Sequence, residues 1–436
     1  MSIINYKIHL NNQSFSKNKK NIVLLIRRSP GELDWIMPLL YSLRKKYNIL
    51  TIFRGQKTLD LIKNNKILFE LWNKTSFGYT IQPKLKSIVW RIGYHLFKKT
   101  ILKNIFQSRF QDSFYDVVKI SNLILNQKKK SCSFIPEAIF AEFLDFSPWL
   151  NKFYNQNKLI KIIHYPHTTN LFGIKKYKIK LKKNIKNRYL LLSNAYDFKF
   201  WHNKFLKSNI IEAGYLKYDK SWIKKIVSKK IKKTRKIIYV SYSGFVPIKQ
   251  DLEKYLEQIK NIMDICIEIP SAIILFKIHP TTDKKKLLNI LSSYPKNKWK
   301  LVNDNQIYLA SICDVYIALY SSTASILDCL AVKKIPIELW SVFRKENKTK
   351  SKSKKLNLSV YVKNKSELKN QIIKSLAFCS GHTGIAGGQE LDLKFENKNK
   401  NLEQIIDMQK KKTGKLFNFC FYAVAVMAKK NPKEKI

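Results

Sequence analysis

The chain has 436 residues, 45% hydrophobic and 13% aromatic. It is too long for one ordinary core and too hydrophobic for a disordered basic tail, so two globular domains with additional elements are expected. A formal charge of +53, from 83 Lys+Arg against 30 Asp+Glu, makes a surface that attracts the phosphates of nucleic acid, anionic lipid or a nucleotide.

Residues 1–20, "MSIINYKIHLNNQSFSKNKK", contain no apolar signal-peptide core and read as a flexible N-terminus. From Asn21 a strand "NIVLLIR", a turn "SPGE", a helix "LDWIMPLLYSLRKKY" and a strand "NILTIFR" make a βαβ unit. The turn carries Gly31 and Glu32, fits close backbone approach to a ligand and is a candidate acceptor loop. It is neither a GxGxxG nor a Walker A loop, so it gives no dinucleotide or ATP assignment. Residues 84–130 are basic, aromatic and helical in period, an insertion that serves packing or membrane contact. Strand signals return at 158–167, 188–194 and 209–214, and the first domain is expected over 21–220.

A lysine-rich linker leads to a second α/β series over 221–375. Its strands are "KIIYVSYSG", "SAIILFKIHP", "KWKLVND", "CDVYIALYSS", "IPIELW" and "LSVYV". Short apolar strands alternating with amphipathic helices call for parallel sheets covered on both faces. The expected fold class is therefore α/β, two tandem Rossmann-like domains facing a cleft, followed by a helical tail over 376–436. Ligands of such sheets bind at the carboxyl ends of strands.

Several candidate residues stand at those ends. His279 in "FKIHP" follows a buried strand and can donate to a phosphate. Ser321, Ser322 and Thr323 in "LYSSTASILD" end a strand as a helix begins, where hydroxyls, backbone N–H groups and the helix dipole suit a phosphate without a metal. Asp328, one to two turns on, can reach a ribose hydroxyl. "IIHYPHTTNLFG" offers His164 and His167; as a neutral imidazole, His167 can take a proton from an acceptor hydroxyl. The six cysteines show no CxxC pair and no metal-like spacing with His, so neither a zinc site nor a disulfide framework is indicated and a cytoplasmic setting is expected. Lysine is spread along the whole chain together with Asn and Ile, all with A/T-rich codons. Compositional drift then accounts for most of the charge, leaving peripheral adhesion to the anionic inner face of a membrane as its functional remainder. No nucleic-acid motif accompanies it, so no nucleic-acid partner is expected.

The succession "YPHT" (165–168), "GYLKYDKSW" (214–222), "KIHP" (277–280) and "DVYIALYSSTASILDCLAVKKIPIEL" (314–339) resembles the two-domain GT-B transferases of bacterial surface-carbohydrate synthesis. Within that group it is most similar to glycerophosphotransferases of teichoic-acid type and to capsule or lipopolysaccharide transferases. The resemblance covers about residues 21 to 370. It implies that His279, Ser321, Ser322 and Thr323 hold a donor diphosphate, that Asp328 lies near the ribose and that His167 is the base. It further implies a nucleotide-activated donor, a glycan or lipid-linked acceptor, and no resident metal or cofactor. Thr168 departs from the family's glycine, Leu216 and Lys217 from its Pro-Arg, and Lys333 and Lys334 from its glycine.

"GHTGIAGGQELDL" (381–393) with "LEQIIDMQKKKTGKLFNF" resembles a different family, the trans-prenyl diphosphate synthases. At the matching positions Gln389, Asp392, Lys412 and Thr413, that family holds diphosphate and Mg²⁺. Those enzymes need aspartate-rich DDxxD motifs to gather enough oxygen ligands around Mg²⁺, and this chain has no two adjacent aspartates. The tail therefore reads as a fused fragment; the alternative is a prenyl-synthase-related protein that would use Mg²⁺.

Overall fold

The computed structural model describes residues 4–9, 16, 18–27, 30–53, 55–83, 92–93, 96–97, 100, 135–142, 150, 159–166, 187–194, 205–228, 235–242, 249–277, 284–319, 323–339, 358–362, 364–380, 391–393, 395–396 and 401–409. The chain divides into two compact units, Met1–Trp222 and Ile223–Ile436. Both belong to the α/β class expected, each built on a sheet of parallel strands.

The first unit contains β1 (Ile4–His9), β2 (Lys20–Ile26), β3 (Tyr47–Phe53), β4 (Phe77–Pro83), β5 (Pro136–Glu142), β6 (Lys161–Tyr165), β7 (Arg188–Leu192) and β8 (Ile210–Glu212). Their spatial order is β1-β4-β3-β2-β5-β6-β7-β8. All pairs are parallel except β1 on β4. The central strands are buried almost without interruption, Ile22 to Ile26 in β2 for example, as a sheet covered on both faces demands.

Three helices belong to the β2–β4 half: α1 (Pro30–Leu43), α2 (Gln56–Lys63) and α3 (Lys66–Asn73). Asn65 caps α3, its Oδ1 accepting from Leu68 N at 3.2 Å. Pro30 opens α1, where a missing N–H costs nothing and its fixed φ suits a helix. Gly31 and Glu32 therefore lie in the first helical turn and not in a preceding turn, which corrects the sequence expectation.

In the second unit β9 (Lys236–Tyr242), β10 (Ala272–Lys277), β11 (Trp299–Val302), β12 (Val315–Leu319), β13 (Ile337–Leu339) and β14 (Val360–Tyr361) lie in the order β11-β10-β9-β12-β13-β14. All are parallel. The remaining helices are α4 (Lys220–Val227), α5 (Lys249–Ile267), α6 (Lys284–Leu291), α7 (Gln306–Ile312), α8 (Thr323–Ala331), α9 (Lys365–Ser380) and α10 (Leu402–Gln409). Ile238, Ile274, Phe276 and Ile317 from the strands pack with Ile262, Met263, Leu287, Leu368 and Ile372 from the helices. Asp219 caps α4, its Oδ1 accepting from Ser221 N at 2.9 Å and Trp222 N at 3.1 Å. The Ser221 hydroxyl first, and then the Trp222 N–H, hold this carboxyl below its ordinary value.

Two further boundaries differ from expectation. Residues 4–9, expected to be flexible, form β1; "INYKIH" alternates apolar and polar residues, the period of a strand, and adds an antiparallel edge to β4. Helix α9 runs through the expected division at 375/376, because no glycine interrupts it before Gly381. Most of the expected insertion at 84–130 lies outside the described residues.

Lys333, just past α8, has φ +59°, the left-handed conformation that usually belongs to glycine at a helix end. This exposed residue carries that conformation where the resembled family has glycine. Lys333→Gly should raise the stability of the second unit by about 1 kcal/mol, measured by urea unfolding. An unchanged or lower midpoint would mean that the lysine side chain offsets the strain.

Candidate functional site

Among the parallel strands, the strand order across each sheet reverses once. In the first unit it reverses between β2 and β5, and in the second between β9 and β12. At such a switch point the connections leave in opposite directions, and the crevice above the carboxyl strand ends is open to ligands.

In the second unit, β12 ends at Leu319 and α8 begins shortly afterwards at Thr323. The first-turn N–H groups and the dipole of α8 make its start an electropositive end. A buried polar network fixes this helix to the sheet. Tyr316 OH donates to Ser325 O at 2.8 Å, and Gln306 Nε2 donates to Ser241 Oγ at 2.9 Å and to Tyr316 OH at 3.2 Å. Register places Lys277 beside Ser241 and Ser241 beside Ala318, so β10, β9 and β12 end close together. Burial, followed by charged neighbours including Asp328, pushes the phenols of Tyr239 and Tyr316 well above 10. The two rings meet edge to face at 5.0 Å. Both stay neutral, and Tyr316 acts as the hydrogen-bonding strut.

In the first unit a charged cluster gathers at the ends of β2 and β5. Glu32 Oε2 accepts from Arg27 N at 2.7 Å. Arg27 Nη1 stands 3.6 Å from Glu142 Oε2, an ion pair longer than a hydrogen bond. Glu32 is 1% exposed and Glu142 2%. On α1, Asp34 pairs with Lys217 Nζ at 3.5 Å. Tyr165 closes the row: its OH donates to Leu25 O at 3.3 Å and its ring stacks on Trp35 at 6.1 Å.

Behind this cluster lies His164, fully buried on β6. Arg188 Nε donates to its Nε2 at 2.7 Å, which fixes the proton on Nδ1, 3.4 Å from Glu142 O. Burial, reinforced by the Arg188 charge, holds this imidazole well below its ordinary pKa. It is a neutral structural group.

Of the residues singled out in the sequence, Gly31 and Glu32 lie in the first turn of α1, and Thr323 begins α8. Asp328, on α8, is 2% exposed. Asp392 falls in a short helical stretch at 391–393. His167, His279, Ser321, Ser322, Gln389, Lys412 and Thr413 lie outside the described residues. In sequence, His279 follows the end of β10 by two positions, and Ser321 and Ser322 immediately precede α8.

Arg27, Glu142 and the Asp34–Lys217 pair escape a reading of the sequence alone. The usable signal is a charged residue terminating an otherwise apolar strand. Lys217 forms an ion pair at the position where the resembled family has arginine. Cys266, Cys313 and Cys329 are buried free thiols; burial raises Cys266 to about 12 and Cys329 well above its ordinary value, so neither of these two supplies a thiolate nucleophile. Among the described residues no group of three or more His, Cys, Asp or Glu is placed to hold a metal, and no helix is long and apolar enough to cross a membrane.

No protein-family model matches the chain. A stretch of 62 residues is 34% identical to farnesyl diphosphate synthase of Bacillus subtilis (strain 168), covering 14% of this chain and 21% of that protein. The chain thus spans about a fifth of the curated relative it matches. Among solved structures, UDP-GlcNAc 2-epimerase from Methanocaldococcus jannaschii is similar with a TM-score of 0.45 at 14% identity, covering 82% of this chain and 92% of that one. The same enzyme from Neisseria meningitidis, bound to UDP-GlcNAc, gives 0.46 at 11%, covering 81% and 90%. The glycosyltransferase of kitacinnamycin gives 0.41 at 8%, covering 95% and 100%. Likenesses this loose carry no functional argument; strand order and side-chain placement carry the fold and the site.

Proposed function

We propose that the chain is a GT-B-type transferase that moves a sugar or glycerol-phosphate unit from a nucleotide-activated donor to a surface-polysaccharide or lipid-linked acceptor. The supporting observation is α8, rising from the carboxyl end of β12 at the β9/β12 switch point and anchored there by Tyr316 and Gln306. Its N-terminus suits a diphosphate. Ser321, Ser322 and Thr323 supply hydroxyl donors from the adjoining sequence, and His279 supplies an imidazole from the segment after β10. Asp328, on α8, is the candidate for the ribose hydroxyl.

For sugar transfer, an acceptor oxygen attacks the anomeric carbon, the bond to the diphosphate breaks, and the acceptor proton passes to the His167 imidazole. The α8 N-terminus and its hydroxyls stabilise the departing diphosphate. With a donor such as CDP-glycerol, the acceptor oxygen instead attacks phosphorus and the nucleoside monophosphate leaves.

Thermal shift with CDP-, UDP- and CMP-linked compounds tests this reading, since a ligand of the native state raises its stability. His279→Ala and Ser322→Ala should each weaken nucleotide binding about tenfold or more, the loss of one charge-assisted hydrogen bond. His167→Ala should lose turnover while keeping donor binding. Unchanged affinity in both donor-site variants would overturn the assignment. The 62-residue match to farnesyl diphosphate synthase supports one alternative, prenyl-synthase-related chemistry. A shift with Mg²⁺ and prenyl diphosphates alone, accompanied by chain elongation, would establish it instead.

A further inference from the structure

We propose that Gln306 is a positioning residue: it directs the hydroxyl proton of Tyr316 to Ser325 O and so holds the start of α8 where a nucleoside diphosphate can meet it. The bond directions rest on the geometry of the second unit; the ligand rests on the transferase reading above.

The directions follow from what each atom can donate. Ser325 O, a carbonyl, can only accept, and Tyr316 OH stands 2.8 Å from it. The single proton of the phenol is thereby committed to α8, so its oxygen accepts from Gln306, 3.2 Å away. That orients the amide: Nε2, not Oε1, must face the phenol. The second Nε2 proton goes to Ser241 Oγ at 2.9 Å. Gln306 is held firmly enough to impose a direction, because Asn305 caps α7, its Oδ1 accepting from Ile307 N at 2.9 Å and Tyr308 N at 3.3 Å. The Tyr316 ring is 1% exposed and meets Tyr239 edge to face at 5.0 Å, which leaves the hydroxyl hydrogen as the part that can turn.

One chain of donors therefore runs from α7 through β12 to α8. Ser241 on β9 is the register partner of Ala318 on β12, and these two strands flank the switch point. Ser325 lies in the first turn of α8, two residues after Thr323. Tying its carbonyl to the sheet keeps the neighbouring N–H groups aimed at one place, and a displacement of even ~1 Å weakens what such fixed donors can do. Gln306→Glu puts a carboxylate opposite the phenol. A carboxylate has no proton to give and draws the phenolic proton more strongly than a carbonyl does, so it should reverse the chain and release α8. Gln306→Met puts a thioether there, which gives no proton and accepts one only weakly, so the bond to Ser325 O should survive.

The test compares Gln306→Glu, Gln306→Met, Tyr316→Phe and the double variant Gln306→Glu/Tyr316→Phe in the full-length chain. Calorimetry reads the affinity for UDP and CDP against that for uridine and cytidine, and hydrogen exchange followed by mass spectrometry reads the α8 amides. Gln306→Glu and Tyr316→Phe should each weaken nucleoside diphosphate binding about tenfold, leave nucleoside binding unchanged and speed exchange in α8. Gln306→Met should stay close to the wild type in all three readings. Added negative charge alone would also repel a diphosphate, and the double variant separates the two causes. Acting through the phenol, Gln306→Glu adds nothing once Tyr316→Phe is present, whereas charge repulsion persists. Losses that add in the double variant, a loss in Gln306→Met equal to that in Gln306→Glu, or unchanged α8 exchange in Tyr316→Phe would each overturn the proposal. Tyr316→Phe, which removes one buried oxygen, decides the matter with Gln306→Met if Gln306→Glu fails to fold. A wild type that binds neither UDP nor CDP sinks the transferase reading alone, and α8 exchange then decides this inference. Nucleotide binding that every variant keeps at the wild-type level sinks this inference alone.

Discussion

Gly78→Ala is expected to destabilise the first unit by about 3 kcal/mol, because the strand carrying it has no room for one more carbon. A Cβ at Gly78 would stand 2.7 Å from Thr51 O, 2.8 Å from Trp72 Cζ2 and 3.1 Å from Phe53 Cε2. None of these atoms can withdraw freely. Thr51 is the register partner of Gly78 in the β3–β4 ladder. Trp72 is 1% exposed and donates through Nε1 to Thr51 Oγ1 at 3.0 Å. Its ring also packs edge-on against Phe53 at 5.3 Å and stacks on Phe69 at 5.8 Å. Relief must come from moving a paired backbone or expelling an indole, in an interior packed as tightly as an organic crystal. Urea unfolding of the full-length variant, followed by tryptophan fluorescence, checks the effect. A loss below about 1 kcal/mol would show that α3 slides away from β4 at little cost.

This contact also shows where sequence reading stops. The strands of the second unit are legible because each is a short, nearly continuous apolar run bounded by polar residues, as in "AIILFK" and "VYIAL". In the first unit, β5 lacks that signature: "PEAIFAE" opens on proline and carries a glutamate near each end. Its neighbourhood with β2 is a fact of topology between segments far apart in sequence, so the Arg27–Glu142 pair is invisible for the same reason. The glycine-turn expectation at Gly31 failed because Pro30, read as a turn former, serves equally well as the first residue of a helix.

The large positive charge is legible as a number but not as a set of contacts. Lys298 Nζ donates to Ile269 O at 2.8 Å and Pro270 O at 3.1 Å beyond the end of α5. Lys334 Nζ donates to Ser311 O at 2.8 Å and also to Cys313 O at the end of α7, and Lys19 Nζ donates to Arg44 O at 3.0 Å beyond α1. Ammonium groups in these places satisfy carbonyls that helix ends leave unpaired and complement the negative end of the dipole. Part of the lysine excess therefore serves the fold, and needs no polyanionic partner to account for it.

The second large effect is expected at Arg188 and is tied to pH through His164. Arg188 is 1% exposed, and its removal in Arg188→Ala leaves a cavity while taking the donor from His164 Nε2. A loss of about 3–5 kcal/mol in the first unit follows. Burial first, and the Arg188 charge second, depress the folded-state pKa of His164, whereas the unfolded chain titrates near the ordinary value of about 6.5. The unfolded state then binds more protons once the pH falls below that value, so the His164 contribution to stability is flat above about pH 6.5. It should decline at up to about 1.4 kcal/mol per pH unit below, until the depressed folded pKa is reached. His164→Gln can still accept from Arg188 Nε but cannot take up a proton, so its stability should lack this component of the acid decline. The measurement is the difference in unfolding free energy between wild type and His164→Gln over a range from about pH 8 to about pH 5. A difference independent of pH would show that His164 titrates normally in the fold. A difference that changes progressively below about pH 6.5 would place an acid-sensitive point of the first unit directly behind Glu142, since the Nδ1 proton of His164 faces Glu142 O at 3.4 Å.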